Sequence, residues 1–243
     1  MSKVIAIIPA RYESSRLPGK VLEKIGNKTM LQLVYEQVKK VTIVDEIVIA
    51  TDDNRVIQAA KDFGAQAEMT FASHRSGTDR CAQVAQEFWE DDIIINVQAD
   101  EPFINPEVIE LLANTMLEDS WIEIATLCTK AEASELQDPN VVKLVKANNN
   151  FALYFSRSKI PYDRDGNSFD EYCKHAGLYA YRNKILQSIT KLPESSLEKA
   201  EKLEQLRWLQ NGYKIYVVKT NYNSLAVDTL DDLQKARELY GKL

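Results

Sequence analysis

A short polar loop near the start of the chain carries the residues with the clearest chemical potential. The loop contains Arg11, Arg16 and Lys20 within the sequence PARYESSRLPGK, and three cations so close together favour a polyanionic ligand, most simply a triphosphate. The alternative is an ordinary solvated basic loop. Because G-x-x-x-x-G-K-[ST] and G-x-G-x-x-G are both absent and Gly19 is the loop's single glycine, guanidinium and ammonium groups would have to neutralise the phosphates.

Two aspartates are candidates for holding a divalent cation. Asp100 follows the apolar run 92–98, and Asp228 precedes the last predicted helix. Magnesium usually takes one or two carboxylates together with substrate phosphates and waters, and it could then bridge a polyphosphate and an attacking oxygen. The alternatives are that Asp100 is a turn or helix-start acid and that Asp228 or Thr229 caps the last helix.

A second loop with chemical potential is SHRSGTDR, residues 73–80. Gly77 permits a close approach of the backbone, and the start of the helix that follows favours an anion. Ser76 could instead be no more than a helix cap, and Arg75 and Arg80 no more than surface charges.

The second half of the chain offers candidates for binding a carboxylate. Arg157 ends a predicted strand, where its guanidinium could grip a carboxylate of the substrate. His175 is a lone histidine, a type that is more often structural than catalytic, and the alternative for Glu204 and Gln205 is the solvated face of a helix. Because no zinc pattern, G-x-S-x-G or Cys–His pair is present, the sequence does not indicate covalent nucleophilic catalysis.

The elements that must position these residues alternate between strand and helix in the first half, which predicts a parallel sheet with right-handed crossovers. The run from Val4 to Ile8 is apolar on both faces and predicts a buried strand, whose carboxyl end lies where open α/β sheets bind ligands. Further strands are predicted at 46–50, 67–70, 92–98, 141–146, 152–156, 177–181 and 215–218. Helices are predicted at 29–40, 54–63, 78–89, 106–117, 197–210 and 230–239, with Asn105 and Pro106 at a helix start. We therefore predict a doubly wound, mostly parallel α/β sheet with an antiparallel insertion, in one domain spanning residues 1–243.

The composition is that of an ordinary globular protein, with 243 residues, 45% hydrophobic and 27% charged. A net charge of −6 argues against general nucleic-acid binding. The scattered Cys81, Cys128 and Cys173 form no C-x-x-C pair and predict a reduced, cytoplasmic protein. The N-terminus leads directly into the first strand without a signal peptide, and no apolar run is long enough to cross a bilayer, so we expect no membrane partner.

Several motifs, in order along nearly the whole chain, closely resemble the 3-deoxy-manno-octulosonate cytidylyltransferases, also called CMP-Kdo synthetases. These motifs are IIPARYESSRLPGK, ATDD, SHRSGTDR, NVQADEP, ALYFSRSKIPYDR, HAGLYAYR, LEQLR and AVDTLDDL. The resemblance implies a nucleotidyltransferase-like fold, a homodimer and a requirement for Mg²⁺. It implies transfer of CMP from CTP to the sugar acid Kdo, with release of pyrophosphate, for lipopolysaccharide biosynthesis. Residues from about 141 to 210 would form a subdomain for sugar-acid binding and dimerisation.

The resemblance also implies roles for individual residues. The implied nucleotide-binding residues are Ala10, Arg11, Lys20, Ser76, Gly77, Arg80 and Gln98, with Arg16 beside them in the phosphate loop. The implied magnesium ligands are Asp100 and Asp228, and the implied sugar-acid residues are Arg157, His175, Tyr179, Glu204 and Gln205. The chain departs from the family pattern at Ala99, where the family usually has Gly, at Tyr162, where it has Trp, and at Ala176, where it has a larger apolar residue.

The implied reaction is in-line attack of the sugar's anomeric hydroxyl on the α-phosphate of CTP. We expect Lys20, Arg11 and Arg16 to offset charge on the leaving pyrophosphate, and Asp100 and Asp228 to act through the metal. One alternative is transfer to 8-amino-3,8-dideoxy-manno-octulosonate or another sugar acid. Another is a non-catalytic nucleotide-binding protein on the same fold.

Overall fold

The computed structural model describes residues 2–14, 17–166, 169–222 and 225–242. The strands, in chain order, are β1 Val4–Pro9, β2 Lys24–Ile25, β3 Lys28–Thr29, β4 Glu46–Thr51, β5 Gln66–Met69, β6 Ile93–Asn96, β7 Ile124–Lys130, β8 Lys143–Lys146, β9 Ala152–Ser156, β10 Cys173–Arg182 and β11 Ile215–Lys219. The helices are α1 Met30–Val38, α2 Asn54–Asp62, α3 Gly77–Ala85, α4 Pro106–Glu118, α5 Asn183–Ile189, α6 Ser196–Glu201, α7 Gln205–Gln210 and α8 Leu230–Tyr240.

The central sheet is mixed, with a parallel majority. Its main path has the order β11-β7-β10-β6-β1-β4-β5, and β8 and β9 extend it from β10. Strand β1 runs parallel to β4 and β6, and β4 runs parallel to β5. Strand β10 is antiparallel to both β6 and β7. The predicted fold class, a mostly parallel doubly wound sheet with an antiparallel part, is confirmed.

Helices cover both faces of the sheet, as the all-apolar pattern of β1 predicts. Val4, Ala6 and Ile8 pack in a cluster with residues of α1, α2 and α4. Ile5 and Ile7, which point to the other face, pack with residues of α3, α5 and α7. Since β1 lies in the middle of this sandwich, the loop that leaves its carboxyl end is anchored on a rigid element.

Two helix starts follow the predicted capping chemistry. Asn105 Oδ1 accepts a hydrogen bond from the backbone N–H of Glu107 at 3.0 Å, with Pro106 as the first residue of α4. At α8 the cap is Thr229, whose Oγ1 accepts from the backbone N–H of Asp232 at 3.2 Å. The carboxylate of the preceding Asp228 is therefore not the cap of this helix.

The prediction of one helix over residues 197–210 is wrong. Helix α6 ends at Lys202, which adopts a left-handed conformation with φ 53° and donates its N–H to the Glu198 carbonyl. The chain then turns and α7 begins at Gln205. The apolar spacing continues across the turn, because Leu203 and Leu206 are both buried, so periodicity alone does not reveal the break.

Strand β7 and helix α5 were not among the predicted elements, and β10 begins four residues earlier than the predicted strand 177–181. The sequence of β7, IATLCTK, has threonines among its apolar residues. These threonines interrupt the apolar run by which a buried strand is recognised. Thr126 is nevertheless fully buried, and its hydroxyl donates to the Leu178 carbonyl at 2.8 Å. Across the described parts of the chain, no helix has the length and apolar character needed to span a bilayer.

Candidate active site

A polar cavity of about 380 Å³ opens at the carboxyl ends of β1 and β6. Arg11 and Lys20 line it from the loop after β1, and Gln98 and Asp100 line it from the loop after β6. Asp228 reaches it from the segment before α8. The structure thus brings both predicted aspartates to the basic loop. For Asp100 this is expected, because it follows β6, the strand that pairs with β1.

Lys20 is the centre of the polar contacts in this cavity. Its Nζ donates to Asp100 Oδ2 at 2.8 Å, to Asp228 Oδ1 at 2.8 Å and to the Val227 carbonyl at 3.2 Å. Burial disfavours the charged ammonium, but attraction to Asp100 and hydrogen bonds to both carboxylates outweigh it, so the pKa of Lys20 is raised. A backbone hydrogen bond of 2.8 Å from the Val227 N–H to the Asp100 carbonyl ties the two acidic segments together.

The donor set of Asp100 and Asp228 suits magnesium better than zinc. The described residues contain no cluster of three histidine, cysteine or acidic side chains that could hold a metal ion by themselves. A hard cation that takes only one or two protein carboxylates and completes its shell with phosphates and water does fit this pair. Both carboxylates also lie within reach of one ammonium group, which shows that the position between them accommodates a positive charge.

Arg80 lines the cavity but is almost completely buried, with 3% exposure. One guanidinium nitrogen donates to Asp52 Oδ2 at 2.8 Å, and another donates to Thr70 Oγ1. The Thr70 hydroxyl in turn donates to the Thr51 carbonyl at 2.9 Å. Arg80 therefore holds the carboxyl ends of β4 and β5 together, a role that sequence reasoning missed because these partners are remote in the chain.

The N-terminus of α3 forms another part of the cavity wall. Ser76 Oγ accepts from the Asp79 N–H at 3.1 Å and so caps the helix, and both Ser76 and Gly77 line the cavity. A Cβ on Gly77 would lie 3.2 Å from Cγ of Pro9. The absence of a side chain at this position lets the start of α3 pack directly against the end of β1.

Glu204 links this helix start to the turn between α6 and α7. Its carboxylate accepts from Ser76 Oγ at 2.9 Å and from Thr78 Oγ1 at 2.6 Å. Arg207 donates to the same carboxylate at 2.8 Å. Burial raises the pKa of Glu204. The hydrogen bonds from Thr78 and Ser76 and the attraction of Arg207 lower this pKa, but burial has the larger effect. The predicted sugar-acid residue Glu204 therefore contacts the predicted nucleotide residue Ser76 directly.

His175 and Tyr179 lie together on β10, with ring centroids 5.2 Å apart. His175 Nε2 lies 2.9 Å from Thr126 Oγ1, and burial lowers the pKa of the imidazole to about 4. Burial also raises the pKa of Tyr179 well above its ordinary value. The Tyr179 hydroxyl is buried without a hydrogen-bond partner among the described residues. An unpaired buried hydroxyl carries a desolvation cost that a ligand hydroxyl or carboxylate would relieve.

Arg157 does not line the cavity at the strand ends. Its guanidinium donates to the carbonyls of Glu201 at 2.7 Å, Pro139 at 2.8 Å and Lys202 at 3.3 Å. The structure therefore places Arg157 beside the turn that leads to Glu204, with its side chain bonded to backbone. Its assignment as a clamp for a substrate carboxylate stays a prediction.

The other predicted residues occupy varied positions. Ala10 is buried in the core, with its N–H bonded to the Ala50 carbonyl at 2.8 Å, and Gln205 is buried in α7. Ala99, one of the departures from the family pattern, lines the cavity, whereas Tyr162 is 87% exposed. Arg16 lies outside the described residues.

Comparison with known proteins agrees with this geometry. A family model described as "Cytidylyltransferase" matches residues 5–215. The 3-deoxy-manno-octulosonate cytidylyltransferase of Solibacter usitatus is 48% identical over 239 residues, covering 98% of this chain and 94% of that protein. The protein of the same name from Parabacteroides distasonis is 50% identical over 248 residues, covering 97% of each chain.

Two solved structures extend the comparison. That of a CMP:2-keto-3-deoxy-manno-octonic acid synthetase complexed with CTP superposes with a TM-score of 0.95 at 46% identity, covering 99% of both chains. A cytidylyltransferase from Leptospira borgpetersenii, at 17% identity and a TM-score of 0.68, covers 100% of this chain and 88% of that one and shares the fold. The matching family model and the two full-length relatives confirm the sequence prediction: this chain belongs to the 3-deoxy-manno-octulosonate cytidylyltransferase family.

Proposed function

We propose that this protein transfers CMP from CTP to the anomeric hydroxyl of 3-deoxy-manno-octulosonate (Kdo) and releases pyrophosphate. The observation that carries this proposal is the likeness over 99% of the chain to a synthetase of CMP-2-keto-3-deoxy-manno-octonic acid complexed with CTP. The cavity at the strand ends supports it, because cations from the loop after β1 face a pair of acids there.

In the proposed reaction the protein acts mainly by positioning and by electrostatics, as is usual for phosphoryl transfer. Arg11 and Lys20 bind the phosphates of CTP and offset the charge that accumulates on the departing pyrophosphate. The start of α3, with Ser76 and Gly77, presents backbone N–H groups to the cavity. Arg16 is proposed as a further phosphate-binding cation on the strength of the sequence resemblance.

We propose Asp100 and Asp228 as the ligands of a magnesium ion. When bound, that ion would polarise the α-phosphate and favour the deprotonated form of the sugar hydroxyl. Lys20 donates to both carboxylates, so it holds them in place by hydrogen bonds. Among the described residues, the histidines and acids that line the cavity are Asp100, Asp228 and His74. His74 Nε2 lies 2.6 Å from Gln83 Oε1, an oxygen that can only accept, so only Nδ1 of this ring could take up a proton.

For the sugar acid, we propose a pocket that includes His175, Tyr179 and Gln205, next to Glu204. The imidazole of His175 is neutral at pH 7 because its pKa is lowered to about 4, so it would act as a neutral hydrogen-bonding group. Arg157 is proposed as a carboxylate ligand on the resemblance alone. Three of its five N–H groups donate to backbone carbonyls, which leaves two for a substrate.

The direct experiment is an assay of pyrophosphate release from CTP and Kdo, with and without Mg²⁺. We expect activity only with the metal. Asp100→Asn should lower kcat by orders of magnitude while Tm stays near that of the wild type. The matched control is Asp91→Asn near the opposite end of β6, because Asp91 is 75% exposed and pairs only with Lys184 among the described residues. Normal activity of the Asp100→Asn variant would refute the metal assignment.

A panel of acceptors separates the related activities. Kdo should be the best substrate, and faster transfer to 8-amino-3,8-dideoxy-manno-octulosonate or to another sugar acid would reassign the acceptor. Binding of CTP without turnover of any acceptor would favour the non-catalytic alternative. From the resemblance we also propose a cytoplasmic homodimer that supplies lipopolysaccharide biosynthesis, and the mass of the particle in solution tests the dimer.

A further inference from the structure

The cations around the cavity differ in how far the protein already neutralises them. Lys20 is paired with Asp100 and Asp228, and Arg80 is paired with Asp52. A paired and buried guanidinium such as that of Arg80 has little freedom to turn towards a ligand. The positive charge of Arg80 adds to the electrostatic potential of the cavity. Its hydrogen bonds to Asp52 and Thr70, however, connect the ends of β4 and β5.

Arg75, by contrast, is a cation that the described part of the protein does not neutralise. It lies in the loop just before α3 and lines the cavity, and its side chain is exposed. Among the described residues it forms no hydrogen bond and no ion pair with another side chain. Arg11, on the loop after β1, shares all three properties. Two uncommitted guanidinium groups from different loops therefore face one cavity.

The position of Arg75 adds a second argument. It immediately precedes Ser76, the cap of α3, and α3 has nine residues with Gly77 as the first. The backbone of Arg75 is thus next to a helix N-terminus, whose partial positive charge and free N–H groups favour phosphate. Arg75 also borders a second groove of about 460 Å³ between α3 and the segment after α5, so the guanidinium stands at the wall shared by the two cavities.

We propose that Arg75 is a direct ligand of the CTP triphosphate, and that Arg80 acts as a positioning residue behind it. This inference rests on the proposed function, and it assigns to the nucleotide a residue that the sequence resemblance did not. An arginine can bind two phosphate oxygens through two parallel N–H groups. A lysine at the same position would attract the phosphate only as a point charge.

Isothermal titration calorimetry of the full-length protein in Mg²⁺ buffer, without a sugar acid, tests the proposal. The probes are CTP, inorganic tripolyphosphate and cytidine, and the variants are Arg75→Gln and Arg75→Lys. Charge-assisted hydrogen bonds predict about 10- to 100-fold weaker binding of CTP and tripolyphosphate by Arg75→Gln, an intermediate loss for Arg75→Lys, and no change for cytidine. Lys40→Gln is the matched control for net charge, because Lys40 is exposed and bonds only to Gln37 among the described residues. It should bind all three probes as the wild type does.

Binding of CTP and tripolyphosphate by Arg75→Gln within twofold of the wild type would overturn the proposal, as would an equal loss of cytidine binding. Because Arg75 has no partner in the described structure, Tm should not change, and a clear fall in Tm would mean a structural role instead. If the wild type bound tripolyphosphate but not CTP, the proposed function would fail, while a loss of tripolyphosphate binding in Arg75→Gln would still support Arg75 as the phosphate ligand.

Discussion

Substitution of Glu204 by Gln separates two interpretations of this residue. Resemblance to the family assigns Glu204 to the sugar acid, whereas the structure bonds its carboxylate to Ser76 and Thr78 at the start of α3. The replacement keeps the size of the side chain but turns one acceptor oxygen into an NH₂ donor. The substrate whose binding depends on Glu204, either CTP or Kdo, should then bind more weakly.

The cost of this change can be worked out from the three hydrogen bonds that the carboxylate accepts. Each bond to a charged group contributes about 1.5–3 kcal/mol, and a neutral bond about 1 kcal/mol. Glutamine can keep two of the three as neutral bonds, since a hydroxyl can rotate to accept. It also avoids the cost of burying a charge, because the Glu204 side chain is only 22% exposed. We expect a net loss of about 1–3 kcal/mol, which lowers Tm by roughly 2–12 °C for a chain of this size.

The loss should depend on pH in a defined direction. Burial raises the pKa of Glu204 above its ordinary value of 4.5, so between these two values the folded protein binds more protons than the unfolded chain. The wild type therefore loses stability as pH rises through this window. The stability of the glutamine variant does not change in this way, because glutamine does not titrate. The difference in stability between wild type and variant should be largest at low pH and should shrink as pH rises.

The assay is steady-state kinetics with CTP and Kdo varied in turn. Loosening the start of α3 by about 1 kcal/mol should raise KM for CTP about fivefold, with a smaller effect on KM for Kdo. Glu198→Gln is the matched control, because Glu198 also contacts Arg207, at 3.4 Å, but bonds to no residue of α3 among those described. It should lower Tm without raising KM for CTP. A rise in KM for Kdo with KM for CTP unchanged in Glu204→Gln would refute the reasoning.

Three further predictions follow from buried and titrating groups. Arg80→Lys should cost about 2–4 kcal/mol in thermal denaturation, because lysine cannot bond both partners of this buried guanidinium; an unchanged Tm would contradict its positioning role. A hydrogen bond from Cys128 lowers the pKa of Cys173 despite burial, whereas burial raises that of Cys81, so iodoacetamide at pH 7 should label Cys173 first in mass spectrometry, and early labelling of Cys81 would argue otherwise. Burial lowers the pKa of His175 to about 4, so its contribution to stability is present above pH 6.5 and is lost as pH falls towards 4; an NMR titration midpoint near 6.5 would disprove this.

Local chemistry was enough to predict much of the scaffold. The apolar run of β1, the cap at Asn105 and the cap at Thr229 each depend on residues a few positions apart, and the structure has all three. The meeting of Asp100 with the basic loop could also be predicted, because both follow strands whose carboxyl ends share one edge of the sheet.

What could not be predicted depends on contacts between distant residues. Residue type and local position treat Arg75 and Arg80 alike, as two arginines beside one helix start. The structural difference between them arises because Asp52 and Thr70 lie beside Arg80 alone. The break at Lys202 is likewise invisible to periodicity, since a lysine in a left-handed conformation carries no sequence signal comparable to glycine. Both features belong to tertiary structure rather than to local propensity.

The bridge from Lys20 to Asp228 has a consequence for the synthesis of this protein. The two residues are 208 positions apart in the chain, and a ribosome that adds 5–20 residues per second needs roughly 10–40 s to make that interval. Asp100 is made 80 positions after Lys20, and for the rest of the interval these two residues lack their last partner. A nascent chain can therefore fold much of its sheet on the ribosome, yet the proposed magnesium site is complete only after Asp228 has emerged.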